Sequence, residues 1–395
     1  MLLVPPAGGW RGVWIASHHH SPVPRSRETI ARALDQLQAL GVNAVLPAVW
    51  NRGHTAWPSV VMEGQGLPRQ DPELAGFDPL AAYAELAAER GMALIPWLEY
   101  GFAAEPVGRP GPLLARYPGW AALDRRGRVL EHGGLRWLNA LNPAVQSFVA
   151  ALLVELAERY PLAGLQGDDR IALPRAGSHD AASRARFHHT SGGGWPWRDG
   201  DPRWCRFRRD AISAWVAASG ERLRAQRPGL LWSLAPAPLP FGRRQLMQDS
   251  ARWLADGQVD LLVPQLYHRR VGAVERRLAT TLKALPPARH RQVLLGLSRR
   301  VRGRPLQPIA LERMGALVER RGLGGICLFH HGWLALSGRG AEGAGALPAL
   351  VATAGPSLPL SGGGADGALA GAGGGGGVAG PAAGVHRPEP HPAAG

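Results

Sequence analysis

Eight short apolar runs, each followed by a segment with helical spacing or a turn into one, constrain this chain of 395 residues more than any other feature. The runs fall at 10–16, 42–49, 92–99, 163–169, 230–235, 259–267, 292–297 and 325–330. Most are apolar throughout rather than alternating, as strands are when both faces of a sheet are covered. Between them, apolar residues recur every three or four positions, predicting helices over 27–40, from 79, 143–160, 204–226, 244–255, 272–285 and 309–321. Asp78-Pro79 and Asn142-Pro143 read as helix starts, a capping side chain followed by proline at the first helical position. Strand–helix alternation predicts a parallel sheet, and eight repeats predict one closed (β/α)8 TIM barrel, an α/β fold spanning 1–354. The eighth helix has only one candidate, 344–353. From 355 to 395 the chain is Gly, Ala and Pro with few large apolar side chains. Such a segment cannot offset its ordering entropy, and a disordered low-complexity tail is expected.

Composition removes several function classes. No apolar run approaches the roughly 20 residues of a membrane-spanning helix. Met1 to Pro6 has neither a basic nor an apolar signal region, so a cytoplasmic protein is expected unless the true start lies upstream, in which case it is exported. The formal net charge is +15, yet Lys283 is the one lysine and the arginines are scattered along helices without a nucleic-acid-binding motif. Nucleic acid is therefore not an expected partner. Cys205 and Cys327 fall on a predicted helix and a predicted strand, which suits packed thiols. The chain has 14 tryptophans, and Trp57, Trp120, Trp137, Trp195 and Trp197 fall in loop-like segments. An indole stacks on the apolar face of a sugar as readily as it packs in a core.

The chemistry concentrates at strand ends. The stretch Ala163-Gly164-Leu165-Gln166-Gly167-Asp168-Asp169 is a strand that ends in two carboxylates. The loops after the second, third and fourth strands are long, and in such a barrel the long loops at the C-terminal ends of strands form the working face. Side chains alternate along a strand. If Leu165 and Gly167 face the helices, Gln166 and Asp168 face the barrel axis; Trp97 with Glu99, and Gln265 with Tyr267, would share inward faces on their strands. Asn51 and Arg52 follow the second strand and His330 ends the eighth. Paired carboxylates with amides and indoles fit glycoside hydrolysis, in which one acid protonates the leaving oxygen and a second carboxylate activates water or attacks the anomeric carbon. Asp168 and Asp169 are adjacent, so their side chains diverge. The working pair is expected to be Asp168 and Glu99, with Asp169 as a modulator or sugar ligand. Trp50, Trp97 and one of Trp195 or Trp197 are expected to line the groove. No metal or cofactor is expected.

The order of short motifs is itself informative. Arg11-Gly12-Val13-Trp14, Pro47 to Gly53 (PAVWNRG), Gly76 to Leu80 (GFDPL), Ile95 to Phe102 (IPWLEYGF), Trp137-Leu138-Asn139 with Asn142-Pro143, Gly164 to Asp169 and Val263 to Tyr267 (VPQLY) occur in that sequence. This set resembles the glycosyl-hydrolase-like 10 family of bacterial proteins over about residues 10–333. The resemblance implies a (β/α)8 barrel acting on a polysaccharide, with a cell-wall glycan of the peptidoglycan type plausible. It adds Arg11, Tyr100 and Asn142 to the candidate substrate-binding residues. The family usually has an aromatic where Gly167 stands, and a histidine or aromatic where Arg170 stands. Two other readings are weighed. Histidines at strand ends (His18, His20, His268, His330) with Asp168 could build a metal-dependent hydrolase, although the fifth strand ends in Ala235-Pro236 and offers no ligand. A barrel that binds glycan without cutting it is the other, since an arginine beside Asp168 would lower its pKa and spoil a general acid.

Overall fold

The computed structural model describes residues 8–191, 194 and 198–334. Eight parallel strand positions close on themselves: β1 Trp10–Ile15, β2 Ala44–Pro47, β3, which Pro96 interrupts, Ala93–Leu94 and Trp97–Leu98, β4 Gly164–Gly167, β5 Leu231–Leu234, β6 Leu261–Leu262, β7 Leu294–Ser298 and β8 Gly325–Phe329. One arc runs β7-β8-β1-β2-β3 and the other β6-β5-β4-β3. Parallel bridges at Ala48/Trp97 and at Leu262/Val293 and Gln265/Gly296 join the arcs. The third and sixth strands are shorter than their apolar runs because Pro96 and Pro264 lack the N–H a central strand must donate.

Strand alternation divides the core into two. Inward-facing Trp14, Leu46, Trp97, Leu231, Val263 and Phe329 fill the barrel. Outward-facing Val13, Val45, Leu98, Leu165 and Leu234 pack under the helices. Those helices are α1 Arg27–Ala39, α2 Pro79–Glu89, α3 Pro143–Arg159, α4 Pro202–Gln226, α5 Ser250–Ala255, α6 Val271–Lys283 and α7 Pro308–Gly315. The expected caps form: the Asp78 carboxylate accepts from Ala81 N at 3.0 Å and the Asn142 side chain from Ala144 N at 2.9 Å. The helix expected over 244–255 is broken, because Met247 takes a left-handed conformation (φ 58°) between a short turn, Phe241–Gln245, and α5. The helix expected over 309–321 likewise divides after Gly315. The expected eighth helix and the Gly/Ala-rich tail lie outside the described residues.

The long loops are built rather than open. After β2, a hairpin of Trp50–Asn51 and His54–Thr55 leads into a short helix, Val60–Gly64. The buried Glu155 carboxylate of α3 fastens that segment, accepting from Trp57 Nε1 (3.1 Å), Ser59 Oγ (2.5 Å) and Val60 N (2.6 Å). After β3, an antiparallel ribbon joins Ala103–Pro106, Leu135–Trp137 and Glu131–His132. After β4, the buried Arg208 of α4 donates to the carbonyls of Pro174, Gly177 and Asp199. A helix, Ala181–Ser191, occupies the middle of what reads in sequence as a polar loop. Both cysteines are free.

Candidate active site

Asp168 directly follows β4 at the C-terminal mouth of the barrel, and its residue is 1 % exposed. Its two oxygens have different partners: Oδ2 takes Arg170 Nη1 at 2.9 Å and Oδ1 takes Gln265 Nε2 at 2.5 Å. Gln265 also donates to the Ala235 carbonyl at 3.0 Å, which fixes its amide between the fifth and sixth strands. Arg170 Nη1 donates in addition to the Glu99 carbonyl at 2.8 Å, and its guanidinium lies over the buried Tyr100 ring at 5.2 Å. The half-buried Glu99 side chain receives Asn51 Nδ2 at 2.7 Å. Hydrogen bonds thus link the second, third, fourth and sixth strand ends: Asn51 to the Glu99 carboxylate, the Glu99 backbone carbonyl to Arg170, and Arg170 and Gln265 to the Asp168 carboxyl.

Burial and the neighbouring Asp169 carboxylate push the Asp168 carboxyl well above the usual carboxylate range, and Arg170 pulls against them. The guanidinium does not prevail, because desolvation penalises the ionised form of a fully enclosed acid more than one cation repays. Burial would lower Arg170, but Asp168, Asp169 and Glu99 together raise it. The Tyr267 phenol, stacked on Phe329 at 5.4 Å, is raised by burial and then by Asp168. A carboxyl displaced upward by burial beside a second carboxylate is in the kind of environment that serves a general acid.

Two glycines allow close approach here. Gly101, at φ +47°, brings the loop after β3 against the loop after β4; a Cβ there would sit 2.6 Å from the Arg170 carbonyl atoms. At Gly167, where the family resemblance implies an aromatic, a Cβ would meet Ile171 Cγ1 at 2.6 Å and Leu234 Cδ2 at 2.7 Å. Ile171, fully buried, fills the space instead.

The residues singled out in the sequence sit at different depths. Arg11 lies at the opposite end of the barrel, where it donates to the carbonyls of Gly41 (2.7 Å) and Gly8 (3.1 Å) and ties the start of β1 to the turn before β2. Trp50 is fully buried, donates to the Gly101 carbonyl at 3.0 Å and packs edge-on to Phe148. Asn142 caps α3. Trp57, Trp120 and Trp137 are packing residues of the loops. Trp97 and Gln166 do face the axis, but beneath the mouth: Trp97 packs on Trp14 and Phe329, and Gln166 is held by Trp14 Nε1 (2.7 Å) and Ser233 Oγ (2.9 Å). Arg52, in a left-handed conformation, reaches His20 at 3.5 Å. Trp195 and Trp197 lie outside the described residues. The histidines and Asp168 of the metal-hydrolase reading do not assemble: His330 Nδ1 accepts from Gly332 N, and His18 pairs with Asp71. Gln248 is a residue that sequence reasoning missed. Buried between α5 and the turn before it, it donates to the carbonyls of Asp169 (2.9 Å) and Ile171 (3.1 Å) and holds the acid-bearing turn. Nothing in its sequence surroundings marks it.

The family model described as glycosyl hydrolase-like 10 matches residues 9–297, the span that holds the first six strands, all but the last residue of the seventh, and the whole network. The chain belongs to the glycosyl-hydrolase-like 10 family. It is 24 % identical to glycosyl hydrolase DigH of Escherichia coli K12 over 317 residues, covering 67 % of this chain and 70 % of that protein. It is 21 % identical to glycosyl hydrolase YngK of Bacillus subtilis, and spans 54 % of that longer relative. Among solved structures, the fold is similar to the glycoside hydrolase domain of PgaB (BpsB) from Bordetella bronchiseptica, with a TM-score of 0.65 and 14 % identity, covering 87 % of this chain and 98 % of that one. It is also similar to the catalytic domain of β-amylase from Paenibacillus polymyxa, with a TM-score of 0.62 and 13 % identity over 89 % and 100 % of the two chains. The fold is that of TIM-barrel glycoside hydrolases.

Proposed function

We propose that this member of the glycosyl-hydrolase-like 10 family hydrolyses glycosidic bonds of a polysaccharide, with peptidoglycan-type cell-wall glycan the first substrate to test. The observation that carries this reading is the network in which Arg170 joins the buried Asp168 carboxyl to the Glu99 backbone at 2.9 and 2.8 Å. Asp168, whose carboxyl burial and Asp169 displace upward, is the general acid. Glu99, oriented by Asn51, is the carboxylate that activates water or attacks the anomeric carbon. Asp169 raises the affinity of Asp168 for its proton, Gln265 fixes the direction of the carboxyl, and Tyr267 offers a phenol to sugar hydroxyls.

One observation favours a second reading, a barrel that binds glycan without cutting it: Asp168 is enclosed and already ion-paired. Hydrolysis of cell-wall glycan and of defined oligosaccharides by Asp168→Asn, Glu99→Gln and Asp169→Asn separates the two. On the first reading, the Asp168 and Glu99 variants lose about 10²–10⁴-fold in turnover with their fold intact, and the Asp169 variant loses less. Near-normal turnover by Asp168→Asn overturns the assignment. Glycan binding without cleavage by the unaltered protein establishes the second reading.

A further inference from the structure

Away from the acid network, the turn after β1 and the loop after β2 bring His18, His19 and Asp71 together. His18 Nε2 and His19 Nε2 each stand 3.2 Å from the same atom, Asp71 Oδ2, and the imidazole rings are 4.0 Å apart. One ligand atom from each residue lies within 4.8 Å of the others, and among the described residues these are the only three histidine, cysteine or acidic side chains that meet that spacing. His18 and Asp71 are buried and His19 is half-buried. Two imidazoles thus converge on one carboxylate oxygen. Ligands about 2.0–2.1 Å from a tetrahedral zinc ion stand roughly 3.3–3.4 Å from one another, so the two 3.2 Å separations fit edges of that figure.

The surroundings prepare these groups. The Ser17 carbonyl accepts from His20 N and Ser21 N, both at 2.9 Å, which closes the turn carrying the two histidines. Asp71 Oδ1 accepts from Glu73 N at 3.0 Å, and Asp71 N donates to the Thr55 carbonyl, so the carboxylate is fixed with Oδ2 toward the imidazoles. Behind His19, its Nδ1 lies 3.7 Å from Glu73 Oε1, and Arg25 holds that carboxylate at 2.8 Å. A carboxylate hydrogen-bonded behind a histidine is the usual outer support of a metal ligand; at 3.7 Å Glu73 lies on that side of His19 without making the bond.

We propose that His18, His19 and Asp71 bind a divalent transition-metal ion of the zinc type, with the remaining position left to water or another ligand. Two imidazoles and one carboxylate suit zinc and its neighbours rather than magnesium or calcium, which prefer all-oxygen shells. The ion lies outside the Asp168 network. It would tie the β1 turn to the loop that also carries Asn51, the residue that holds Glu99.

The test uses the full chain with no histidine tag, stripped with chelator and dialysed, then titrated with zinc chloride by calorimetry. One equivalent of zinc is expected to bind with a dissociation constant tighter than about 10 μM, accompanied by a rise in melting temperature. Magnesium should produce neither. His19→Ala and Asp71→Asn should each weaken zinc at least about 100-fold, while His188→Ala, in an exposed pair on the helix Ala181–Ser191, leaves it unchanged. Cobalt substituted into the unaltered protein should give the intense visible absorption of a tetrahedral ion, a readout that does not depend on how well the variants fold. Zinc binding weaker than about 10 μM to the unaltered protein overturns the proposal. So does equal zinc affinity in folded His19→Ala and Asp71→Asn.

Discussion

Replacing Arg170 with methionine keeps the length of the side chain and removes the cation that contacts Asp168. The guanidinium is 9 % exposed and the carboxylate fully enclosed, so solvent screens the pair very little. Two hydrogen bonds are lost, to Asp168 Oδ2 and to the Glu99 carbonyl. Where Asp168 carries its proton, the loss should cost about 1–3 kcal/mol, the desolvation of the acceptors left behind. Where Asp168 would be ionised, the same substitution strands a buried charge, and the cost rises toward about 3–5 kcal/mol. The sign with pH follows from the direction in which the carboxyl is displaced. Arg170 lowers the Asp168 pKa, so its removal lifts a value already above that of the unfolded chain. The folded variant then holds a proton that the unfolded chain releases, and its stability falls as pH rises through the widened window. Every tenfold gain in the proton affinity of the folded acid adds about 1.4 kcal/mol to the gap between variant and parent. Urea unfolding of both proteins at pH 5 and pH 8 measures the gap, with m-values checked for constancy. A larger gap at pH 8 is expected, together with movement of the alkaline limb of the pH–rate profile to higher pH. A gap that is larger at pH 5 than at pH 8 refutes the reading that Arg170 opposes the upward displacement of the Asp168 carboxyl.

Three other outcomes are expected. Gly167→Ala should lose about 1–3 kcal/mol of stability because its Cβ overlaps Ile171 and Leu234, and adding Ile171→Val should recover part of it; thermal melts of the single and double variants check this. Trp50→Phe should lower stability by about 1–3 kcal/mol through the lost bond to Gly101 and the smaller core side chain, while KM for a glycan substrate stays unchanged. Glu155→Ala should cost about 3 kcal/mol or more, since it strands the Trp57, Ser59 and Val60 donors, and proteolysis in the segment after β2 should accelerate before global unfolding.

Periodicity and proline were enough to read the barrel from the sequence. Apolar runs that fit only doubly covered strands alternate with capped helical segments, and no other common architecture accommodates eight such units. Alternation also put Gln166, Asp168 and Trp97 on the inner face, because a side-chain period of two leaves no freedom once one residue is assigned. The depth of each residue was not legible. Trp50 and Arg11 belong to motifs of the family, yet one fills the core and the other staples the far end of the barrel, since a motif records that a residue type recurs and not which surface it meets. Arg170 shows the limit most clearly. Its sequence position beside Asp168 suggests a lowered pKa, whereas the fold encloses the acid and sets Asp169 against it, so the balance of desolvation and charge reverses the direction. Asp71 stands 52 positions beyond His19 and Gln248 stands 79 positions beyond Asp169, with no local signal in either case. Their meeting follows from how the loops pack at the mouth, because such contacts depend on distances across the barrel and local patterning encodes only neighbours along the chain.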